Sequence, residues 1–234
     1  VSHQDAYKSV FEALKHAAIA LRCDIQIKTI EADKVHSFED LVGCDGYLVP
    51  GGYGERGWEG KILTARYCRE KKIPYFGICL GMQAMSVEFA RNVAHLKGAN
   101  TTEIDPKTDH PIISLLSNQE EVQDKGGTMR LGSYPCTLKK ESLAYQAYGK
   151  ENIEERHRHR WELNNVYKPQ LEKSGLQITG IYSEKQLCEI VEVENHPWML
   201  GVQYHPEFKS KPTEPHPLFF AFVQAMKAHQ KEMA

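Results

Sequence analysis

The chain has 234 residues, of which 41% are hydrophobic and 26% are charged. This composition is typical of a globular protein, and the length gives room for one α/β domain or two very small ones. The formal net charge of -2 gives no support for a nucleic-acid or membrane partner. The sequence shows no signal-peptide pattern and no run of about 20 apolar residues that would span a bilayer.

The cysteines are scattered along the chain, without a C-x-x-C pair or the spacing of a zinc site. They are Cys23, Cys44, Cys68, Cys79, Cys136 and Cys188. At this size and density a disulfide scaffold is not expected. We therefore expect a reduced, cytoplasmic protein without a metal site, in which five of the six cysteines are small structural hydrophobic residues.

The first predicted element is an amphipathic helix, because apolar residues recur every three to four positions at Tyr7, Val10, Leu14, Ala17, Ala18 and Leu21. The chain has no initiator methionine and no strand before this helix, so we expect a fragment of a longer chain. The alternation of Ile25, Ile27 and Ile30 in "DIQIKTI" then predicts a strand.

The next segment alternates strands with helices. "DGYLVPGGYGERG" contains a short strand that runs into a Pro-Gly-Gly turn, and "GKILTARYCREKK" is helical. "IPYFGIC" is a strand, and "LGMQAMSVEFARNVAHL" is a helix with one apolar face made by Met82, Met85, Phe89, Val93 and Leu96. This order predicts an α/β fold with a mostly parallel central sheet and helices on both faces.

The second half contains fewer helices. Turns dominate from about residue 101 to 150, and "EERHRHRWE" is followed by a short helix in "NNVYKPQLEKSG". "LQITGIYS", "LCEIVEVEN" and "WMLGVQYHPEF" are predicted strands, and "PLFFAFVQAMKAHQ" is a closing helix. No repeat or linker divides the chain, so residues 1–234 are expected to form a single domain.

The run Gly77-Ile78-Cys79-Leu80-Gly81 has the pattern of a nucleophile elbow with a cysteine as nucleophile. The turn is so tight that side chains two residues before and after Cys79 would collide with neighbouring backbone. At a helix N-terminus the thiolate is favoured over the thiol, and the N–H of Leu80 is placed to stabilise an oxyanion. The alternative is a buried cysteine followed by a flexible glycine.

A thiolate that attacks a carbonyl needs a proton donor for the leaving group. Of the 11 histidines, His205 ends an apolar run that would bring it to the same sheet edge as Cys79, and Glu207 could orient its imidazole. This predicts a Cys-His-Glu triad, against the alternative of a loop histidine beside a solvated glutamate. Gly52 in "VPGGYG" offers a second oxyanion N–H, although the same glycines also suit a simple turn.

"GICLGMQ" and "YHPE" resemble the class I glutamine amidotransferases, in which a cysteine triad releases ammonia from glutamine on a flavodoxin-like, three-layer α/β fold. "VPGGYGERGWEG", "GGTMRLG", "EERHRHRWE" and "NHPWMLGVQYHPEF" resemble more narrowly the glutaminase domain of CTP synthases. The similarity runs from about Ala6 to the closing helix. "GGTMRLG" and the Arg-His-Arg-His-Arg run are its most selective parts.

The resemblance implies a role for each matching residue. These are Cys79 as nucleophile, His205 as acid/base, Glu207 as its orienting partner, the Gly52 and Leu80 backbone as oxyanion hole, Gln83 in the glutamine pocket, and Glu103 and Arg160 at the amino-acid end of glutamine. It implies no cofactor in this domain. ATP and Mg²⁺ would belong to a missing amidoligase domain of the same polypeptide, and the complete enzyme would be a homotetramer activated by GTP, with Tyr53 and Arg56 as GTP contacts.

The sequence departs from the family pattern in three ways. Tyr53 stands where the family usually has phenylalanine, Lys125 precedes "GGTMRLG" in place of an apolar residue, and the first strand is absent.

Three rival functions remain open. One is another class I amidotransferase, such as a GMP synthase or anthranilate synthase subunit. The others are a cysteine hydrolase or peptidase on a related fold, and a non-catalytic module that uses "EERHRHRWE" to hold phosphate or nucleic acid.

Overall fold

The computed structural model describes residues 4–115 and 129–233. Lys125 and the start of "GGTMRLG" lie outside these residues. The helices within the described part are α1 Lys8–Ala20, α2 Trp58–Lys71, α3 Leu80–Asn92, α4 Leu143–Tyr148, α5 Lys168–Lys173 and α6 Pro217–Met233. The strands there are β1 Tyr47–Val49, β2 Tyr75–Ile78, β3 Asn100–Thr101, β4 Pro111–Leu115, β5 Arg130–Leu138, β6 Asn152–His159, β7 Trp161–Leu163, β8 Leu176–Tyr182, β9 Leu187–Val193 and β10 Met199–Val202.

The main sheet has the strand order β1-β2-β10-β9-β8-β5-β6, and β3-β4-β7 form a smaller sheet. Side chains alternate between the two faces of a strand. In β2, Tyr75 therefore packs into a core with α2 and α3, whereas Phe76 and Ile78 pack into a second core with α1 and α6. This arrangement confirms the predicted three-layer α/β fold.

The sheet is mixed, however, and the expectation that it would be mostly parallel needs correction. Among the described strands of this sheet, only the β1–β2 and β2–β10 pairs are parallel, and the other pairs are antiparallel. A parallel pair needs a long crossover connection, usually a helix. Residues 183–186 alone join β8 to β9, so these two strands can form only a hairpin.

The predicted strand in "DIQIKTI" is also wrong, because residues 23–30 are irregular. Ile25 and Ile30 are half-buried against the two cores, but Ile27 is 37% exposed. A strand is held by hydrogen bonds to a neighbouring strand, and among the described residues β1 pairs only with β2. The segment instead lines a groove of about 1020 Å³ between β1, α1 and α6.

The prediction of a single apolar face on α3 is too narrow, because every residue from Leu80 to Ala90 is buried. The helix also ends at Asn92, before the predicted face residues Val93 and Leu96. The helix lies between the main sheet and the smaller one, contacting β2, β10 and β4. Glu88 is consequently buried, and Arg69 neutralises it with two parallel hydrogen bonds, Nη2 to Oε1 at 2.7 Å and Nε to Oε2 at 3.0 Å. In the described part of the chain, no helix is long and apolar enough to cross a membrane.

Candidate active site

Cys79 lies at the junction of β2 and α3, where the chain turns sharply. Its backbone angles are φ 51° and ψ −103°, and this positive φ lies outside the regions that a residue with a side chain readily adopts, so the turn is strained. The backbone N–H of Cys79 donates to the Val202 carbonyl at 2.7 Å, which ties the turn to β10. The helix α3 begins at the next residue, so the sulfur lies at a helix N-terminus.

The two glycines that flank Cys79 are required by the close packing of this turn. A Cβ atom at Gly77 would lie 2.6 Å from the carbonyl carbon of Gly81. A Cβ atom at Gly81 would lie 2.0 Å from the carbonyl oxygen of Val49 in β1. Because both collisions are with backbone atoms, no side-chain movement could relieve them, and the steric argument made from the sequence is confirmed.

His205 reaches the same sheet edge because β2 and β10 are parallel neighbours, with Gly77 opposite Gly201. Its Nδ1 atom lies 2.7 Å from Oε1 of Glu207, and its backbone N–H donates to the Arg156 carbonyl at 2.8 Å. The Glu207 side chain is 5% exposed, so the imidazole has a buried carboxylate on one side.

The electrostatics of this pair favour a charged imidazole. Burial alone would lower the pKa of His205, but hydrogen bonds to Cys79 and Glu207 outweigh it and raise the pKa to about 10. The imidazolium is therefore the main form at neutral pH, with the Glu207 carboxylate beside it. By contrast, burial raises the pKa of the Cys68, Cys136 and Cys188 thiols, which keeps these three protonated.

Gly51 was not singled out from the sequence, yet it lies against the side chains of both Cys79 and His205. A Cβ atom here would be 2.7 Å from Cε1 of His205 and 3.5 Å from Cβ of Cys79. The adjacent Gly52 approaches Leu80, since its Cβ would lie 3.3 Å from Cδ2 of Leu80. The glycine loop after β1 therefore lies against Cys79 and against the first residue of α3.

Glu103 is held beside the same loop. Its Oε1 atom accepts a hydrogen bond from the Gly54 backbone N–H at 3.0 Å, and the residue is half-buried. Arg160 is also half-buried and lies in the bend between β6 and β7. The next residue, Trp161, accepts a hydrogen bond on its carbonyl from Nε2 of Gln83 at 3.0 Å. The structure thus connects Gln83 directly to the residue that follows Arg160.

Comparison with protein families assigns the chain to a known group. The family model described as glutamine amidotransferase class-I matches residues 2–225. The chain belongs to the class I glutamine amidotransferase family. A solved structure of the glutaminase domain of a Trypanosoma brucei CTPS with bound acivicin is similar over 96% of this chain and 89% of that chain, with 34% identity and a TM-score of 0.90.

Curated relatives confirm the resemblance to the CTP synthase glutaminase domain. A CTP synthase of Protochlamydia amoebophila is 63% identical over 99% of this chain and 44% of that protein. A CTP synthase of Chlamydia caviae is 56% identical over 99% of this chain and 43% of that protein. The chain spans less than half the length of these relatives. A putative GMP synthase subunit of Thermoplasma acidophilum, with 14% identity and a TM-score of 0.62, shares only the fold.

The Arg-His-Arg-His-Arg run of this amidotransferase alternates between the two faces of β6. Arg156 and Arg158 are exposed, whereas His157 and His159 are buried. Burial, together with the nearby Arg130 guanidinium, lowers the pKa of His157 to about 2 and that of His159 to about 3. The inner histidines are therefore uncharged, and they do not form part of a basic binding patch.

Arg130, from the "GGTMRLG" segment, is the cross-strand neighbour of His159 in the β5–β6 pair, and it contacts two buried carboxyl groups. Its Nη1 atom lies 3.1 Å from Oε1 of Glu162 and 2.9 Å from Oε1 of Glu189. Burial raises the pKa of Glu162 to about 7 and that of Glu189 to about 8, although the guanidinium opposes this shift. The selective family motifs thus meet in one buried polar cluster.

Tyr53 and Arg56 are the two residues expected to contact GTP, and both follow Gly52 in the segment between β1 and α2. Tyr53 is 89% exposed. The guanidinium of Arg56 lies 3.2 Å from the carboxylate of Asp33.

Sequence reasoning also missed Gln203, whose side chain is fully buried and approaches the sulfur of Cys79. The signal for it was an amide residue at the end of an apolar strand, two positions before His205.

Proposed function

We propose that this chain hydrolyses L-glutamine to glutamate and ammonia, with Cys79 as nucleophile, His205 as acid/base and Glu207 as the group that orients the imidazole. The observation that carries the proposal is the position of the His205 imidazole, which is hydrogen-bonded to the Glu207 carboxylate and lies against the same glycine, Gly51, as the Cys79 side chain. A histidine between a cysteine and a carboxylate matches the roles that a nucleophilic triad requires.

In the proposed reaction the Cys79 thiolate attacks the carboxamide carbon of glutamine. The carbonyl oxygen becomes an oxyanion, which the backbone N–H groups of Gly52 and Leu80 stabilise. The imidazolium of His205 gives its proton to the departing nitrogen, so ammonia leaves and a γ-glutamyl thioester remains. The neutral imidazole then takes a proton from water, hydroxide attacks the thioester, and glutamate is released as the thiolate re-forms with the imidazolium.

The residues at the other end of the proposed pocket suit a free amino acid. A guanidinium binds a carboxylate through two parallel hydrogen bonds, so Arg160 would hold the α-carboxylate of glutamine. The Glu103 carboxylate, which lies at the glycine loop, would attract the α-ammonium group. A peptide bond removes both charges, which gives a physical reason for selecting free glutamine over a peptide.

Replacing Arg160 by alanine tests the carboxylate clamp. Because a hydrogen bond to a charged group contributes about 1.5–3 kcal/mol, the KM for glutamine should rise roughly 10-fold to 100-fold, with a smaller change in kcat. Steady-state glutaminase kinetics measure both constants. Arg158→Ala is the matched control, since Arg158 is exposed on β6 and its loss should leave KM unchanged. Equal KM values for Arg160→Ala and the unmodified chain would exclude the clamp.

The proposed activity is tested by labelling with an electrophile that mimics glutamine, followed by mass spectrometry of the peptides. Only Cys79 should be labelled, and free glutamine should protect it. Cys23 and Cys44 are internal controls because both are partly exposed. Faster hydrolysis of a γ-glutamyl peptide than of free glutamine would favour a peptidase. Salt-sensitive nucleotide binding that survives Cys79→Ala, without any labelling of Cys79, would favour the binding module.

For the longer protein, the proposal is that the ammonia serves the ATP-dependent amination of UTP to CTP. It is supported by the CTP synthase relatives, which are more than twice as long as the part that this chain matches. An amidoligase domain of the same polypeptide would bind ATP, Mg²⁺ and UTP, and the complete enzyme would be a cytoplasmic homotetramer. GTP activation through Tyr53 and Arg56 stays a prediction; the exposed ring of Tyr53 offers a stacking face for a purine.

A further inference from the structure

Gln203 follows β10 directly and places an amide group beside the candidate nucleophile. Its side chain is fully buried, and its Nε2 atom lies 3.7 Å from Sγ of Cys79. The backbone N–H of Gln203 donates to the Glu189 carbonyl at 2.9 Å, which fixes the main chain at this point. None of the roles assigned above uses this side chain.

A neighbouring amide determines which end of the Gln203 side chain faces the sulfur. Nε2 of Gln83 lies 3.0 Å from the Trp161 carbonyl oxygen and 3.2 Å from Oε1 of Gln203. A backbone carbonyl can only accept a hydrogen bond, so the nitrogen of Gln83 must face Trp161. Its second N–H then donates to the oxygen of Gln203, and the nitrogen of Gln203 is left facing Cys79.

The orientation of the Gln203 amide affects the balance between the thiol and thiolate forms of Cys79. A thiolate is a charged acceptor, and a hydrogen bond donated to a charged group is about twice as strong as one between neutral groups. A donor aimed at the sulfur therefore stabilises the thiolate relative to the thiol. Because Gln83 and Gln203 are both buried, solvent cannot readily replace the N–H if it is removed.

We propose that Gln203 is a positioning residue for glutamine hydrolysis, whose amide N–H holds the Cys79 sulfur as a thiolate in a fixed direction. Gln83 and the Trp161 carbonyl keep that amide in the required orientation. Gln83 then commits both of its N–H groups to protein oxygens and can offer only its Oε1 atom to the glutamine pocket. The catalytic meaning of this contact rests on the proposed function, but the contact itself can be tested without glutamine.

The test compares alkylation of Cys79 by iodoacetamide in the unmodified chain, Gln203→Met and Gln203→Glu, from about pH 5 to about pH 10. Mass spectrometry assigns the label to Cys79. Methionine keeps the volume but has no donor, so the pH of half-maximal rate should rise by about one unit and the rate below it should fall roughly tenfold. Glutamate should shift this pH further, because it replaces the donor with a negative charge.

Gln177→Met is the matched control, since Gln177 bonds to Lys139 and Glu172 and its loss should not change the alkylation profile. In the glutaminase assay, Gln203→Met should lower kcat about 10-fold to 100-fold with little change in KM. Gln203→Glu is the same size as glutamine and serves if the methionine variant does not fold.

An alkylation profile that is unchanged in a folded Gln203 variant would overturn the proposal. If the unmodified chain lacks glutaminase activity but Gln203→Met still shifts the alkylation profile, the proposed function fails while the contact to the sulfur stands. If activity is present and neither variant changes the profile or kcat, the glutaminase function stands and the role given to Gln203 is wrong.

Discussion

Cys79→Ala should abolish glutamine hydrolysis, with a loss of at least about 10⁴-fold in kcat/KM, while the protein stays folded. The loss is expected to be this large because alanine has no nucleophile and neither His205 nor the oxyanion hole can form the thioester intermediate. The fold should persist because the substitution removes one sulfur atom and keeps the backbone of the turn. Ammonia release measures the activity, and circular dichroism with urea unfolding measures the fold.

Cys23→Ala is the control for this experiment. Cys23 is half-buried at the end of α1, where its Sγ atom lies 3.7 Å from the Ala18 carbonyl, and its replacement should leave the turnover rate unchanged. A Cys79→Ala variant that still releases ammonia from glutamine at a rate near that of the unmodified chain would contradict the assignment of the nucleophile.

His205→Gln should lower kcat by about 10³-fold to 10⁴-fold, because glutamine cannot protonate the leaving ammonia. The same substitution should also change how stability depends on pH. The pKa of His205 in the folded chain is about 10, against 6.5 for an ordinary histidine, so the folded state binds this proton more tightly. Its contribution to the free energy of unfolding is therefore complete below about pH 6.5 and disappears as the pH rises through about 10.

Urea unfolding of the unmodified chain and of His205→Gln across this range measures the effect. The difference in unfolding free energy should be largest near about pH 6 and should shrink by about pH 10. His36→Gln is the control, since His36 is exposed and should give no such trend. A difference that grows with pH would reverse the sign of the linkage and contradict an imidazolium held between Cys79 and Glu207.

The parts that sequence reasoning anticipated are those that local rules determine. The glycines on either side of Cys79 predict a turn in which no Cβ atom fits. The structure confirms this, because Cβ atoms at Gly77 and Gly81 would collide with backbone atoms. The helices and most strands follow from periodic patterns. His205 could be placed near Cys79 because a strand in a parallel pair carries its carboxyl end to the same edge as its neighbour.

The parts that it missed depend on contacts between distant segments. Ile25, Ile27 and Ile30 alternate as in a strand, but a strand also needs a partner, which no pattern within the segment reports. Spacing could not separate Arg160 from the other arginines, because their exposure depends on where β6 ends. The orientation of Gln203 depends on the Trp161 carbonyl, which is far away in the sequence.

Cys79 and His205 leave the main sheet from β2 and β10, which lie in its interior, rather than from long surface loops. The amide hydrogen of Cys79 itself belongs to the ladder between these strands, through its bond to Val202. Opening the turn would therefore require melting of the most deeply buried layer of the molecule. Inactivation by heat or denaturant should accordingly coincide with global unfolding, and no folded but inactive intermediate should accumulate before it.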